Sequence, residues 1–136
     1  MSRENVEIVA RAIRAWNERD FDAYPALAHP DAEYHGLAEW PGLPGEGRTF
    51  RGLEGLRNRL TRIDAEFDRF RNEPLELIDA GERVVVVFEM SAIGRQSRVP
   101  VRFTDAAVWT IKDGRIASVE ICRTRERALE IAGLPE

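Results

Sequence analysis

Three side chains of this sequence have types and neighbours that suit acid–base chemistry on a small molecule: His35, Asp105 and Arg123. An imidazole has an ordinary pKa of about 6.5 and can therefore act as a base near neutral pH. Asp105 lies in the largely apolar stretch VRFTDAAVWTI, where burial would raise the pKa of its carboxyl group and leave a neutral proton donor. A guanidinium such as that of Arg123 orients anionic groups. We predict His35 and Asp105 as catalytic residues and Arg123 as a substrate-binding residue.

Each of these residues also has a structural interpretation. His35 could be a partly exposed residue at a strand end that is hydrogen-bonded to backbone groups. Asp105 could face solvent, cap a bulge, or stay ionised beside an arginine. Arg123 could form a salt bridge with an acidic residue of a helix. His29, which precedes Pro30 in a predicted turn, is expected at the surface.

Four aromatic residues are candidates for the substrate-binding walls of the same site: Trp16, Tyr34, Trp40 and Trp109. Successive residues of a strand point to opposite faces, so Tyr34 and His35 line one pocket only if the strand ends or bulges between them. Trp16 and Trp109 are also typical core residues, whereas Trp40 lies in a loop and is the tryptophan most expected to touch a ligand.

The stretch from Gly36 to Phe50 is rich in glycine and proline, so neither a helix nor a central strand runs through it. Loops of this length in compact domains usually cover a site or are disordered. The apolar residues Leu37, Trp40, Leu43 and Phe50 favour the covering role. We therefore predict a lid over a pocket.

Apolar residues at three-to-four spacing predict a helix over residues 3–18. A second, short helix is predicted over residues 21–27, ending before Pro30. A strand over Ala32–His35 follows. After the loop, the same spacing continues from Leu53 to Phe70 and predicts a third helix with one apolar face and a charged opposite face.

From Glu73 onward the hydrophobic period changes to two. Four antiparallel strands are predicted, over Leu75–Asp79, Arg83–Ile93, Val99–Ile111 and Arg115–Cys122. Asp113-Gly114 is a strong hairpin signal between the last two. Thr124 can cap a last helix that ends at Gly133. Helices followed by antiparallel strands indicate a single α+β domain over residues 1–136.

The predicted strands carry apolar residues on both faces. Val84, Val86 and Phe88 alternate with Val85 and Val87 along one strand. Helices that cover one face leave the other in need of a partner, and a second copy of the chain is the economical one. We predict a homodimer through the sheet face.

Composition excludes several classes of protein. No apolar run approaches the roughly 20 residues of a membrane helix, and the charged N-terminal sequence lacks the apolar stretch of a secretory signal, so a cytoplasmic location is expected. Cys122 is the only cysteine, which excludes an internal disulfide and a CxxC zinc site. No metal and no cofactor are predicted. The net charge of −4 argues against nucleic acid as a partner.

Five motifs occur in an order that resembles the nuclear transport factor 2-like superfamily, in particular its SnoaL-like branch, over nearly the whole chain. They are ENVEIVARAIRAWNERDFDAY, LAHPDAEYHG, FRGLEGLRNRL, DAGERVVVVFEM and VWTIKDGRIASVEI. The resemblance implies a cone-shaped α+β fold, with three helices on a strongly curved antiparallel or mixed sheet and a short C-terminal helix. It also implies a deep pocket that opens near the first strand and the loop after it.

The same resemblance implies several functions, because fold does not fix function. Steroid isomerases of this superfamily use an Asp as base, together with a Tyr and a protonated Asp that donate hydrogen bonds to the oxyanion. In this sequence the position of the base Asp falls at Gly36 or His35, that of the Tyr at about Ala12, and that of the protonated Asp near Asp105. Steroid isomerase activity is therefore disfavoured. We predict an apolar pocket for a small hydrophobic or aromatic molecule, with cofactor-independent isomerase, cyclase or hydrolase activity. A non-catalytic carrier and a partner-binding dimer domain remain alternatives.

Overall fold

The computed structural model describes residues 2–35 and 49–135. In chain order, these residues form α1 (Ser2–Glu18), a 3₁₀ turn (Phe21–Ala23), α2 (Tyr24–Leu27), β1 (Ala28–His35), β2 (Thr49–Arg51), α3 (Gly52–Glu66), β3 (Phe67–Ala80), β4 (Arg83–Gly94), β5 (Pro100–Lys112), β6 (Arg115–Cys122) and α4 (Arg125–Ala132).

The strands form one six-stranded sheet in the order β2-β1-β6-β5-β4-β3. β1 pairs with β6 in parallel, and every other neighbouring pair is antiparallel. Asp113 and Gly114 join β5 to β6 with φ angles of 51° and 77°, the two positive values that a tight hairpin turn requires. The predicted α+β fold with a mixed sheet and a short C-terminal helix is confirmed.

Helices α1 and α3 pack on one face of the sheet, which we call the inner face. Each helix has apolar residues every three or four positions and therefore buries one stripe of its surface. Alternate residues of β4 form the sheet side of the core that lies between these helices and the sheet. These buried residues are Val84, Val86, Phe88, Met90 and Ala92.

Helix α4 packs on the opposite face of the sheet, which we call the outer face. It begins after Thr124, whose side chain accepts a hydrogen bond from the Arg127 backbone N–H at 3.1 Å, and it ends at Gly133 with φ 78°. Both ends match the predicted caps. Beneath α4 lies a second apolar cluster that includes Val85, Val108 and Leu129.

The apolar outer face was the reason to expect a dimer, and α4 of the same chain now covers part of it. Val85 and Val108 are buried within the chain itself. Large hydrophobic residues that stay exposed are Leu75, at 58%, and Val99, at 55%. A homodimer through the sheet face stays a prediction.

The third helix was predicted to continue through Phe70, and this is wrong from Phe67 onward. α3 ends at Glu66, and Phe67 already has an extended backbone with φ −129° and ψ 143°. The spacing of Phe67 and Phe70 imitates a helix because β3 has an irregularity around Arg69, whose φ is 55°. Both phenylalanines therefore pack on the same core.

Two strands are also longer than predicted. β1 begins at Ala28 rather than Ala32, and β3 begins at Phe67 rather than Leu75. Pro74 is tolerated inside β3 because that strand is the edge of the sheet and its register shifts next to the proline.

Residues 36–48, which hold Trp40 and most of the predicted lid, lie outside the described residues. Phe50 was assigned to the lid, but it lies in β2, pairs with Tyr34 and is buried. It belongs to the core. Within the part of the chain that the structure describes, no helix has the length and apolar character needed to span a membrane.

Candidate functional site

A cavity lies between α1, α3 and the inner face of the sheet, and residues of β1, β3, β4, β5 and β6 contribute to its walls. The volume open to the centres of water molecules is about 80 Å³. This is several times the roughly 10–15 Å³ that one water needs. The lining is mainly aromatic and aliphatic with a few polar groups, which is typical of ligand pockets.

Three of the predicted wall residues line this cavity: Trp16, Tyr34 and Trp109. Trp16 comes from α1 and meets the ring of Phe70 edge to face, with centroids 6.1 Å apart and an angle of 74°. Trp109 comes from β5, where it pairs with Val119 of β6. The two indoles thus form parts of the cavity wall on the helix side and on the sheet side.

Two tyrosines contribute their rings to the cavity, Tyr24 from α2 and Tyr34 from β1. Burial raises the pKa of Tyr34 to about 12. Burial, with a smaller contribution from Tyr34, also raises the pKa of Tyr24 above its ordinary value. Because both pKa values are raised, both phenols remain protonated at neutral pH. The Tyr24 hydroxyl donates a hydrogen bond to the Ala12 carbonyl at 2.9 Å.

His35 borders the cavity at the end of β1, but its imidazole is engaged elsewhere. Nδ1 lies 3.2 Å from the Thr49 hydroxyl, and Nε2 lies 3.4 Å from a carboxylate oxygen of Glu33. Glu33 and Thr49 share a strand face that is opposite to that of Tyr34 and Phe50. Tyr34 therefore points inward, and His35 reaches the cavity only at its rim.

Asp105 and Arg123 were predicted to act with His35 in one pocket, and neither lines the cavity. Asp105 is 3% exposed and pairs with Phe88 on the inner face of the sheet. Its Oδ1 accepts a hydrogen bond from the Ala106 backbone N–H at 2.8 Å. Arg123 follows the end of β6 and is exposed. Of the three proposed residues, His35 alone is among those that line this cavity.

Arg59 of α3 is a cavity residue that the sequence did not single out. The charged residues of α3 were expected on its solvent face, but Arg59 is only 7% exposed and lines the cavity. Burial lowers the pKa of its guanidinium to about 10. The signal was available in the sequence, because Arg59 lies three residues after Leu56 and four before Ile63, on the apolar stripe itself.

Asn72 of β3 is the second polar wall residue that the sequence did not indicate. Asn17 of α1 binds its backbone twice, accepting from the Asn72 N–H at 2.9 Å and donating to the Asn72 carbonyl at 2.7 Å. This pair ties α1 to β3 and leaves the Asn72 side chain to the cavity.

Three buried polar atoms lack a hydrogen-bond partner among the residues that the structure describes: Trp16 Nε1, Arg59 Nη1 and Asn72 Oδ1. All three residues line the same cavity. Unpaired buried polar atoms are uncommon in folded proteins, because each one loses its hydrogen bonds to water. Their gathering at one cavity indicates that a ligand or ordered water completes them.

Within residues 2–35 and 49–135, no group of three or more potential metal-ligating side chains is present. Cys122 is buried in the outer-face cluster beneath α4, away from the cavity. Trp40, the remaining predicted wall residue, falls outside the described ranges.

Residues 9–119 match the family model of the SnoaL-like domain. Among curated proteins, none matches the sequence closely enough to count as a relative.

Solved structures of similar proteins cover nearly the whole chain. TerC, co-crystallized with polyporic acid, is 22% identical over 96% of this chain and 98% of its own, with a TM-score of 0.78. A hypothetical protein of Catenulispora acidiphila with a ketosteroid isomerase-like fold, in complex with trimethylamine, is 21% identical over 95% and 94% of the two chains, with a TM-score of 0.72. A Sinorhizobium meliloti protein proposed to be a polyketide cyclase is 31% identical over 85% and 93%, with a TM-score of 0.64.

Proposed function

The chain belongs to the SnoaL-like domain family, and from this premise we propose that it binds a small, mainly apolar or aromatic organic molecule in the cavity between its helices and its sheet. The observation that carries the proposal is the set of three unpaired polar atoms among the described residues, all at one otherwise apolar cavity. A few convergent polar groups in apolar walls are the usual composition of a ligand site.

The relatives support a small organic ligand for this fold. TerC was crystallised with polyporic acid, and the Catenulispora acidiphila protein is in complex with trimethylamine. The aromatic rings of Trp16, Phe70 and Trp109 favour a flat molecule here, because stacked and edge-to-face arrangements are favourable beyond their buried area.

A thermal-shift screen with aromatic polyketides, terpenoids and steroids tests the proposal. A ligand that binds only the native state at a hundred times its Kd stabilises that state by about 2.7 kcal/mol. Val119 lines the cavity and Val99 is exposed outside it, so Val119→Phe and Val99→Phe are a matched pair. We expect hits to lose their melting shift in Val119→Phe and to keep it in Val99→Phe. No hit in the screen, or equal shifts in both variants, would remove the cavity as a binding site.

A second candidate function is a cofactor-independent enzyme of the cyclase or isomerase type. It is favoured by the Sinorhizobium meliloti relative and by His35 at the cavity rim, oriented by Glu33 and Thr49. In this proposal His35 is the base, which requires one ring nitrogen to turn to the substrate. Tyr34, with its protonated hydroxyl, would donate to a developing oxyanion.

Deuterium exchange at the carbon next to the carbonyl of a bound enolisable ketone tests this second candidate, with NMR detection in D₂O. A positioned general base contributes roughly 10²–10⁴-fold, so His35→Ala should lower the exchange rate by at least about tenfold while the ketone still binds. An unchanged rate in His35→Ala would leave only the binding function.

Asp105 as an acid or orienting carboxylate, and Trp40 and Arg123 as substrate contacts, remain proposals that belong to this second candidate. We also propose the homodimer through the sheet face, and the exposed apolar side chain of Leu75 in β3 supports a contact with a second copy. Light scattering, which measures molecular mass in solution, tests the dimer by comparing Leu75→Arg with the unmodified chain. Absence of a cofactor and a cytoplasmic location stay predictions from the sequence.

A further inference from the structure

We propose that Arg59 is the receptor for an anionic oxygen of the ligand, so that the cavity takes an aromatic carboxylate or an ionised phenol or enol in preference to a neutral molecule of the same shape. This inference rests on the proposed binding function and specifies the chemical class of the ligand.

The position of Arg59 is the first observation. It lies in the middle of α3, on the stripe formed by Leu56 and Ile63, and the residue is only 7% exposed. Its guanidinium carbon is 5.4 Å from the centroid of the Phe50 ring, so β2 holds one side of the group. Its Nη1 has no hydrogen-bond partner among the described residues.

The charge of Arg59 is the second observation. Burial is the cause that lowers the pKa of its guanidinium to about 10, and the group remains cationic at neutral pH. Glu33, an acidic residue beside the rim residue His35, is engaged at 2.6 Å by Arg51. Arg59 is therefore a buried cation without an ion-pair partner in the described parts of the chain. Buried charges in proteins are normally paired, so a ligand anion is the fitting counter-ion.

Burial has already separated Arg59 from bulk solvent, and this favours binding of an anion. A ligand carboxylate loses its own hydration on entry, whereas the guanidinium, only 7% exposed, has little contact with bulk water left to lose. A hydrogen bond to a charged group in such a site changes an affinity by roughly tenfold to a hundredfold.

The other two unpaired atoms refine the ligand. Trp16 Nε1 is a second donor and suits another lone pair of the anionic group. Asn72 Oδ1 is an acceptor and requires a donor, which a hydroxyl group on the ligand supplies. The apolar walls at Phe70, Phe88 and Trp109 accommodate the hydrocarbon part. A hydroxylated aromatic acid carries a group of each kind that these atoms and walls require.

Naphthoate and naphthamide are suitable probes, because they have nearly the same shape and differ in charge. Isothermal titration calorimetry on the full chain at about pH 8, where Arg59 with its pKa of about 10 is charged, measures both Kd values. We expect the unmodified chain to bind naphthoate at least about tenfold more tightly than naphthamide.

Arg59→Met removes the charge while retaining a long, flexible side chain, and Arg59→Lys keeps the charge. Arg57→Met is the matched control, because Arg57 lies on the same helix, is exposed and does not line the cavity. The measured quantity is the ratio of the naphthamide Kd to the naphthoate Kd. This ratio should fall to about one in Arg59→Met and persist in part in Arg59→Lys. In Arg57→Met it should stay within about twofold of the value for the unmodified chain.

A pH series on the unmodified chain gives a reading that does not depend on any variant folding. As pH rises from about 8 to about 11, Arg59 loses its proton around its pKa of about 10, so naphthoate affinity should fall by about tenfold while naphthamide affinity stays level.

The outcomes separate the two proposals. Equal affinities of the two probes in the unmodified chain, or a preference that survives in Arg59→Met, would overturn the role of Arg59 and leave cavity binding intact. Failure of both probes to bind, in spite of hits in the thermal-shift screen, would likewise overturn only the role of Arg59. Failure of the screen itself would overturn cavity binding.

Discussion

The two faces of the sheet differ in whether the polar groups near them have hydrogen-bond partners. On the outer face, α4 covers an apolar cluster around Val108 and Leu129, and two arginines near it are hydrogen-bonded. The Arg125 guanidinium donates twice to the Glu76 carboxylate, at 2.9 and 3.0 Å, and Arg83 donates to the carbonyl of Ile131 at 2.8 Å.

On the inner face, the helices cover an apolar cluster of similar chemistry, but it contains a cavity with unpaired polar atoms. One guanidinium nitrogen, one indole N–H and one amide oxygen have no hydrogen-bond partner there among the described residues. The packing on the outer face thus stabilises the fold, whereas the unpaired buried atoms on the inner face lower the free energy of unfolding. Such unpaired groups are more often found where a protein binds than where it only folds.

The largest expected effect concerns the outer face. Leu129 is 3% exposed beneath α4, so Leu129→Ala removes buried methyl groups and leaves a cavity. We expect a loss of about 2–4 kcal/mol in the free energy of unfolding, measured by urea denaturation. The naphthoate preference of the folded protein should stay unchanged. A changed preference would show that the two faces are coupled.

The next effect concerns the inner face and has the opposite sign. A pKa lowered from 12.5 to about 10 means that burial disfavours charged Arg59, by about 3 kcal/mol at ~1.4 kcal/mol per unit, as an upper bound. Arg59→Met should therefore raise the free energy of unfolding of the ligand-free protein by about 1–3 kcal/mol. Arg57→Met, on the exposed side of α3, removes the contact of a guanidinium with the Phe21 ring at 5.3 Å and should lower it by less than about 1 kcal/mol.

The pH dependence of the Arg59→Met effect follows from the same shift. Because the folded pKa is below the unfolded pKa, the charged group opposes folding fully below about pH 10, and the penalty is relieved as pH rises from about 10 toward 12.5. Urea denaturation at about pH 8 and about pH 11 should show the advantage of Arg59→Met shrinking at the higher pH. An advantage that does not change with pH would mean that packing, not charge, is responsible.

A smaller effect is expected at the start of α4. Thr124 accepts a hydrogen bond from the Arg127 backbone N–H, so Thr124→Ala should lower the free energy of unfolding by about 1 kcal/mol, as measured by urea denaturation. Thr124→Ser keeps the hydroxyl and should retain most of that stability. If Ser and Ala behave alike, the cap does not hold α4 on the outer face.

The smallest effect is expected for the exposed pair of Glu76 and Arg125. The side-chain hydrogen bond from Arg125 lowers the pKa of the Glu76 carboxyl group. Its stabilisation is present above the ordinary carboxyl pKa and is lost as pH falls through the lowered folded pKa. Glu76→Gln should therefore flatten the acid side of a melting-temperature profile slightly and leave the profile near neutral pH almost unchanged.

Patterns that repeat along the chain predicted most of the fold. The apolar stripe of α1, the alternation in β4 and the Asp113-Gly114 turn each follow from local geometry. Prediction was wrong where β3 carries an irregularity, because the spacing of Phe67 and Phe70 fits a helix as well as an irregular strand. The backbone at Arg69, which decides between them, lies in the irregularity between Asp68 and Arg71, the residues that pair with β4 on either side of it.

The aromatic part of the candidate site was also predictable, because Trp16, Tyr34 and Trp109 lie on inward positions of periodic elements. The polar part was not. A charged residue on an apolar stripe is usually assumed to extend to solvent, and only the tertiary structure places Phe50 of β2 against Arg59. For His35 the prediction had the opposite problem. A histidine suggests acid–base chemistry, but the position of His35 on its strand turns the imidazole toward Glu33 and Thr49.

The parallel pairing of β1 with β6 has a kinetic consequence. It joins Tyr34 to Val119, and the cavity walls come from positions as far apart as Ile13 and Ile121. Contacts between such distant parts of a chain form slowly, because loop closure precedes any gain from them. The candidate site is therefore complete only when the sheet has formed. A ligand that fits it should lengthen the lifetime of the folded state and leave the rate of folding as it is.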